Sequence, residues 1–557
     1  MGDRLAPTRE VAQIGATLGR SFSHELISAV AQMPQRKLDE ALEQLAGAEL
    51  IFRRGTPPDA EYSFKHALVQ DAAYSTLLRS RRLQLHARIV ATLESQFPEN
   101  VVAQPALLAQ HCAEARLADK AVVYWLSAGQ QAMARSATTE AVLRLQKGLD
   151  ALAGLPDGPQ RRQQELDLQI ALASALAATK GYSATDVGET IARAHALAEQ
   201  IDRPEHLVPL IYGQFAFHMI RSEHKRALLF AEQIERIGET RNDVAVQLEG
   251  RRAQGATRYY LGEFIAARGL LEQCHGLGDA APRATGARLS ADPYAMMLVQ
   301  LALVLSHLGY VDQARGRFDK ALAEARRLKH ALTLTNVLVR ANLATSYAFD
   351  TSSMRFDSVT TRTAETQRHA EELLALSTEH GFPLFLGWAI ALRGWNLVTL
   401  EQAQEGLALL TRGLTAVRAT GAVASTPLLF IWLAQACAML GQPVEGLNHL
   451  AEAAQIVETT DERDVEAELH RLRGNLLNAA SDPSAAEQSY HQALAVAKRQ
   501  NAKTWELLTA MSLARLWRDQ GKRSEARDLL APIYGWFTEG FDTPVLQEAK
   551  ALLDELA

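Results

Sequence analysis

The sequence predicts a mainly α-helical chain, a right-handed α-solenoid of stacked helix pairs preceded by a small mixed domain. Three observations predict it. The 557 residues contain 94 alanines but only 34 glycines and 18 prolines, and aromatics make up 6%. Few turn formers and many small helix formers give long helices with short connections. Second, small and large residues recur at a fixed 40-residue interval through the C-terminal third. Third, the first 66 residues break that pattern and contain two short β-strand signals. Length alone, at roughly 150 residues per domain, suggests three or four cores. The repeat replaces that count with one continuous stack.

The repeat is read residue by residue. Gly394, Ala434, Gly474 and Ala514 stand 40 apart, and twelve residues after each come Gly406, Gly446, Ala486 and Ala526. Four further on are Leu410, Leu450, Tyr490 and Leu530; three more give Gly413, Ala453, Ala493 and Ile533. Two antiparallel helices approach closely only where the crossing residues are small, and a large residue one turn on fills the next gap. This skeleton is that of the tetratricopeptide repeat (TPR), whose usual period is 34 residues. Gly255, Ala267 and Leu271 repeat it, as do Ala302, Ala314, Phe318 and Ala321. Register weakens between residues 130 and 240. Loops are expected at Gly276–Asp292 and Asp350–Arg362. Residues 98–545 then hold about eleven helix pairs in a TPR-like superhelix with a concave groove, and residues 546–557 form a capping helix.

Residues 1–66 read as a winged-helix domain. Val11–Leu18, His24–Ala31 and Arg36–Ala46 are amphipathic, with Ser23 as an N-cap and Pro34 at a helix start. Leu50–Arg54 and Glu61–Phe64 are strands joined by a Gly-Thr-Pro-Pro-Asp turn. Residues 67–97 form a helical connector. The third helix carries Arg36 and Lys37 against Asp39, Glu40, Glu43 and Glu49, which opposes an approach to phosphates. Arg53, Arg54, Arg79, Arg81 and Arg82 make a local basic cluster, read as a solvated face or interdomain contact. DNA binding by the winged helix, as a transcriptional regulator, is the alternative it leaves open.

The chain carries a net charge of −6, so it has no global electrostatic reason to bind nucleic acid or anionic lipid. Cys112, Cys274 and Cys437 are isolated and odd in number, which fits a reducing cytoplasm and no structural zinc. No signal peptide is evident, and Pro427–Leu440 is too short to span a bilayer. The GxxxxGK[ST] phosphate cradle is missing, because Leu516 stands where Gly521-Lys522 would need its first glycine. HExxH and GxSxG are missing too. His66 and His86 have no readable nucleophile or orienting partner. The expectation is no catalytic residue, cofactor or metal. TPR register instead puts Arg252, Tyr259, Trp388, Trp395, Arg471, Asn475, Asn478, Arg515 and Arg518 on the concave face, to hold a protein or peptide through arginine and asparagine contacts. Trp388 and Trp395, at i and i+7, read equally well as core.

Three segments carry a family resemblance. Leu5–Ala16 with Leu18-Gly19-Arg20-Ser21-Phe22 resembles the start of the winged helix that follows the ATPase module in bacterial STAND-type signalling ATPases. Tyr62–Tyr74 with Leu77-Leu78 and Arg82-x-x-x-His86 resembles their connector, and Ser512–Trp517 with Glu525–Gly540 the end of their repeat arm. Many such proteins are fusions with class III adenylate/guanylate cyclase domains. The resemblance implies a signalling role and an ATPase or cyclase module; the expectation is that the gene is truncated or split, or that a separate chain supplies that module in trans. The cyclase and nucleotide-binding residues themselves do not occur in this sequence, so a cyclase or ATPase activity would rest on family name only.

Overall fold

The computed structural model describes residues 2–135, 137–201, 204–278, 291–347 and 360–557. Most of both expected loops, at Gly276–Asp292 and Asp350–Arg362, lies outside the described residues. The chain is mainly α and divides into two compact units: Met1–Thr179 with Ala196–Asp202, and Lys180–His195 with Arg203–Ala557.

The first unit opens with α1 (Gly2–Leu18), β1 (Ser21–Ser23), α2 (His24–Ala31), α3 (Gln35–Gly47), β2 (Ile51–Arg54) and β3 (Glu61–Phe64). The strands form one antiparallel sheet in the order β1-β3-β2, with Phe22 opposite Tyr62 and Ile51 opposite Phe64. Three helices and the hairpin come in the expected order; β1 is an addition. It is only three residues long, too short for a period-2 pattern to show. Ser23 ends it and caps α2, its Oγ accepting from the Leu26 N–H at 3.1 Å.

The next helices are α4 (Ala67–Ser75) and α5 (Arg79–Gln96). One core joins Val11, Ile14, Phe22, Ile27, Leu42 and Ile51 to Leu85, Ile89 and Leu93 of α5 and to Leu108 beyond it. The expected connector therefore packs as part of the N-terminal core. Its apolar face has the spacing of any amphipathic helix, and only the folded chain shows which surface covers it.

The second unit is a stack of antiparallel helix pairs, among them Pro383–Thr399 with Ala403–Ala419, Thr426–Met439 with Pro443–Thr460, and Glu466–Ala479 with Pro483–Gln500. The small-large code works as read. A Cβ on Gly255 would lie 2.8 Å from Leu271, and one on Gly474 would drive into the Tyr490 ring.

The stack also closes on itself. Turns 198 to 240 residues apart, five to six periods, bond directly. Val423 and Ala424 N–H donate to the Ile220 carbonyl at 2.9 and 3.0 Å, and Arg463 N–H to that of Tyr260 at 2.7 Å. Thr504 Oγ1 donates to the Ser306 carbonyl at 2.5 Å, and the Asp312 N–H to Glu539 at 3.0 Å. Successive superhelical turns therefore stack, and the first helices of several pairs are buried all round. Thr426 to Cys437 is buried without a break, which explains its unbroken apolarity. Among the described residues no helix is long and apolar enough to cross a membrane.

Candidate binding site in the repeat stack

The nine residues expected on the groove fall into three places. Arg252, Tyr259, Trp388, Trp395 and Arg471 are buried. Trp395 stacks on Trp432 at 5.1 Å, and Trp388 meets the same ring edge-on at 6.4 Å, so both are core. Tyr259 packs edge-on against His307 at 5.2 Å. Arg471 is wholly buried, donating to both Glu468 oxygens at 2.7 Å and to Ser512 Oγ at 3.2 Å. Arg252 pairs with Glu249, Nε to Oε2 at 3.1 Å, and its Nη1 reaches Gln300 at 3.4 Å. These five differ from the expectation of an open face. TPR register does place Arg252 and Arg471 inward, but superhelical closure covers that side and each pairs with an acid three residues back on its own helix.

The remaining four lie nearer the surface. Asn475 is half-buried and accepts a bond from Tyr490 Oη at 2.8 Å; Asn478 is exposed. Arg515 pairs with Glu548 at 2.7 Å and Arg518 with Glu555 at 2.8 Å, both acids belonging to the terminal Pro544–Leu556 helix.

Sequence reasoning missed an acidic pair where turns meet. Glu462 is buried and accepts from Ser222 Oγ and from the Ser425 N–H, each at 2.7 Å; His224 Nε2 lies 3.5 Å away, its ring parallel to Tyr260 at 5.2 Å. Asp464 is buried close by. Loss of water, then the charge of Glu462, pushes its carboxyl well above the ordinary range. In sequence Asp461-Glu462-Arg463-Asp464 is a charged turn, which reads as surface. No local signal marks it otherwise, because Ser222 and His224, which close over it, lie more than 200 positions away.

In the first unit, His86 forms a buried relay with new partners. Tyr74 Oη lies 3.0 Å from its Nε2, and its Nδ1 lies 2.8 Å from His111 Nδ1. Burial lowers His86 to about 4 and His111 to about 3, so both are neutral near pH 7. His66 is exposed at the start of α4 and does not join them. Cys112, Cys274 and Cys437 are buried free thiols. Among the described residues no group of three His, Cys, Asp or Glu could hold a metal ion.

No family model matches the chain. An uncharacterized protein of Rhizobium meliloti (strain 1021) is 26% identical over 491 residues, covering 86% of this chain and 46% of that protein, so the chain spans about half the length of this curated relative. Among solved structures it is similar to a Rap protein complexed with competence and sporulation factor (TM-score 0.45, 13% identity, 69% of this chain and 99% of that one). It is also similar to the APC/C hetero-tetramer Cut9-Hcn1 (0.44, 13%, 96% and 98%). A third is a STAND protein with a tetratricopeptide repeat sensor from Pyrococcus horikoshii (0.28, 11%, 98% and 65%). Scores below 0.5 leave the function to be read from the residues of the chain itself.

Proposed function

We propose that this chain is a non-catalytic sensor and interaction arm of a bacterial signalling ATPase or cyclase system, and that its repeat stack holds a partner protein or peptide. The observation that carries the reading is the setting of Asn475. Tyr490 Oη occupies its amide oxygen, which fixes the amide and leaves its NH2 to donate to the backbone carbonyl of an extended segment. Exposed Asn478 follows three residues on the same helix, and Arg515 and Arg518 stand on the Lys503–Asp519 helix with carboxylates that a partner's acids could replace. We read the N-terminal elements as serving packing rather than DNA, since Glu40 and Glu43 of α3 and Glu49 just after it pair with Arg36, Arg53 and Lys65.

The test compares pull-downs by the native chain and an Asn475→Ala/Asn478→Ala variant matched for helicity. Partner recovery should fall several-fold in the variant. Unchanged recovery would sink the assignment of this surface. Cyclase and ATPase turnover of the purified chain should not exceed buffer.

A further inference from the structure

The Val311–Leu328 helix begins without a side-chain cap of its own, because Tyr310 stands at its N-cap. The first amides of a helix need an acceptor from elsewhere, and here it comes from near the end of the chain. Glu539 Oε1 accepts the Asp312 and Gln313 N–H groups at 3.0 and 3.2 Å, and its Oε2 accepts from the Gln313 side chain at 3.1 Å. Asp312 returns the bond, accepting the Gly540 N–H at 3.0 Å. Arg315 Nη1 donates to both oxygens of Asp542 at 2.9 Å, and Trp536 meets Tyr310 edge-on at 5.6 Å.

Residues 535–543 are therefore a strap. They join the Arg523–Tyr534 helix to the Pro544–Leu556 helix and, between the two, fasten a helix start 227 positions back. This fastening differs from the one at Glu462. Ser222 and Glu462 are both buried, whereas Asp312, Gln313 and Asp542 are exposed. Exposed ion pairs contribute little each, which makes the strap the weaker of the two. It also runs straight into the terminal helix, where Glu548 follows Asp542 by six residues. That helix is tied to Lys503–Asp519 by Arg515 with Glu548 at 2.7 Å and Arg518 with Glu555 at 2.8 Å, while Val545, Leu546, Ala549 and Leu552 bury its apolar face.

We propose that the strap couples occupancy of the Arg515 and Arg518 surface to closure of the stack. A partner whose acids take these arginines from Glu548 and Glu555 loosens the terminal helix, and with it the strap's hold on Val311–Leu328. The apolar face stays docked, so the change is a loosening and not a detachment. Linkage makes it reciprocal: a released strap frees the two arginines for the partner. The input named here rests on the partner-binding reading above; the coupling is a property of the chain alone.

The experiment is amide hydrogen exchange on the full chain with no partner present, comparing the native protein with Arg515→Ala/Arg518→Ala, which frees the two acids. The Asp312, Gln313 and Gly540 amides should exchange about three- to tenfold faster in the variant. The Val423 and Ala424 amides, bonded to the Ile220 carbonyl, should keep their native rates. Glu548→Gln/Glu555→Gln breaks the same pairs from the other side. It should give the same pattern, and it serves alone if the arginine variant misfolds. Unchanged exchange at Asp312 and Gln313 in a folded variant overturns the proposal. Equal acceleration at Val423 and Ala424 does so too, because it marks general destabilisation. A failed pull-down with the Asn475 and Asn478 variant removes the input and leaves these exchange rates as they are, so the two readings fail separately.

Discussion

Two buried polar clusters, one in each unit, are built in different ways. In the first, Tyr74, His86 and His111 lie within 40 residues of sequence and are neutral, a hydrogen-bonded relay sealed among helices. In the second, Arg471 pairs with Glu468 in the interior, and buried Glu462 is held by Ser222 from a different superhelical turn and by the Ser425 N–H. The difference teaches where specificity is needed. Neighbouring helices find each other through apolar spacing, and neutral groups suffice between them. Turns that meet after more than 200 residues have no periodic code to align them, and a buried carboxylate that must find Ser222 Oγ and the Ser425 N–H fixes their register.

Breaking the charged side should cost most. Arg471→Ala takes the guanidinium from buried Glu468, and about 3–5 kcal/mol should be lost in urea unfolding. Arg471→Met with Glu468→Leu should recover most of that. Near-equal losses in the single and double variants would show that the pair's charge is not what matters. Glu462→Ala strips two bonded donors of their acceptor and should cost about 2–3 kcal/mol. Amide exchange at Val423 and Ala424 should accelerate with it, while the Gly474–Tyr490 contact, internal to one pair, stays protected.

The two clusters should also respond to pH with opposite sign. His86 and His111 have folded values below their ordinary 6.5, so the unfolded chain binds protons first as pH falls. Their contribution is complete above about 6.5 and is lost as pH drops toward 4 and then 3. A His111→Phe variant should show a flatter acid limb in Tm against pH. Asp464 has a raised folded value, so the unfolded chain gives up its proton first as pH rises. Its contribution is present at low pH and declines upward through the raised value; Asp464→Asn should remove that decline. Identical profiles for the native chain and both variants would erase the contrast. The smallest effect is expected at exposed His66, where His66→Ala should change stability by no more than about 0.5 kcal/mol in urea unfolding.

How far the chain could be read depended on whether its code stayed in one orientation. From Gly394 to Ile533 the small residue sits on the first helix and the large one on the second, and the folded pairs obey that order. Gly129, Ala141, Leu145 and Gly148 carry the same spacing, and a Cβ on Gly129 would strike Leu145. It was legible but lay alone, in the stretch where register weakens. The pair at 204–241 reverses the sizes. Phe215 takes the small position and packs with Ala227 and Ala231, so the interface survives while a search for small-then-large fails. Of the groove residues, spacing placed Arg252 and Arg471 inward, but it could not tell an open face from a closed one. Glu462 carried no mark, since Ser222 and His224, which give it meaning, are far away in sequence.

By itself the sequence determined the helices, their pairing and the order of the N-terminal elements, because each follows from side chains within about forty residues of one another. Tertiary structure decided whether the stack would close. That depends on the small rotation between successive pairs, summed over five or six of them. A slight change in any one crossing would displace the turns around residues 222, 260 and 306 from their partners at 462, 463 and 504. Closure converted an expected groove into an interior and buried two arginines that each pair with an acid on their own helix.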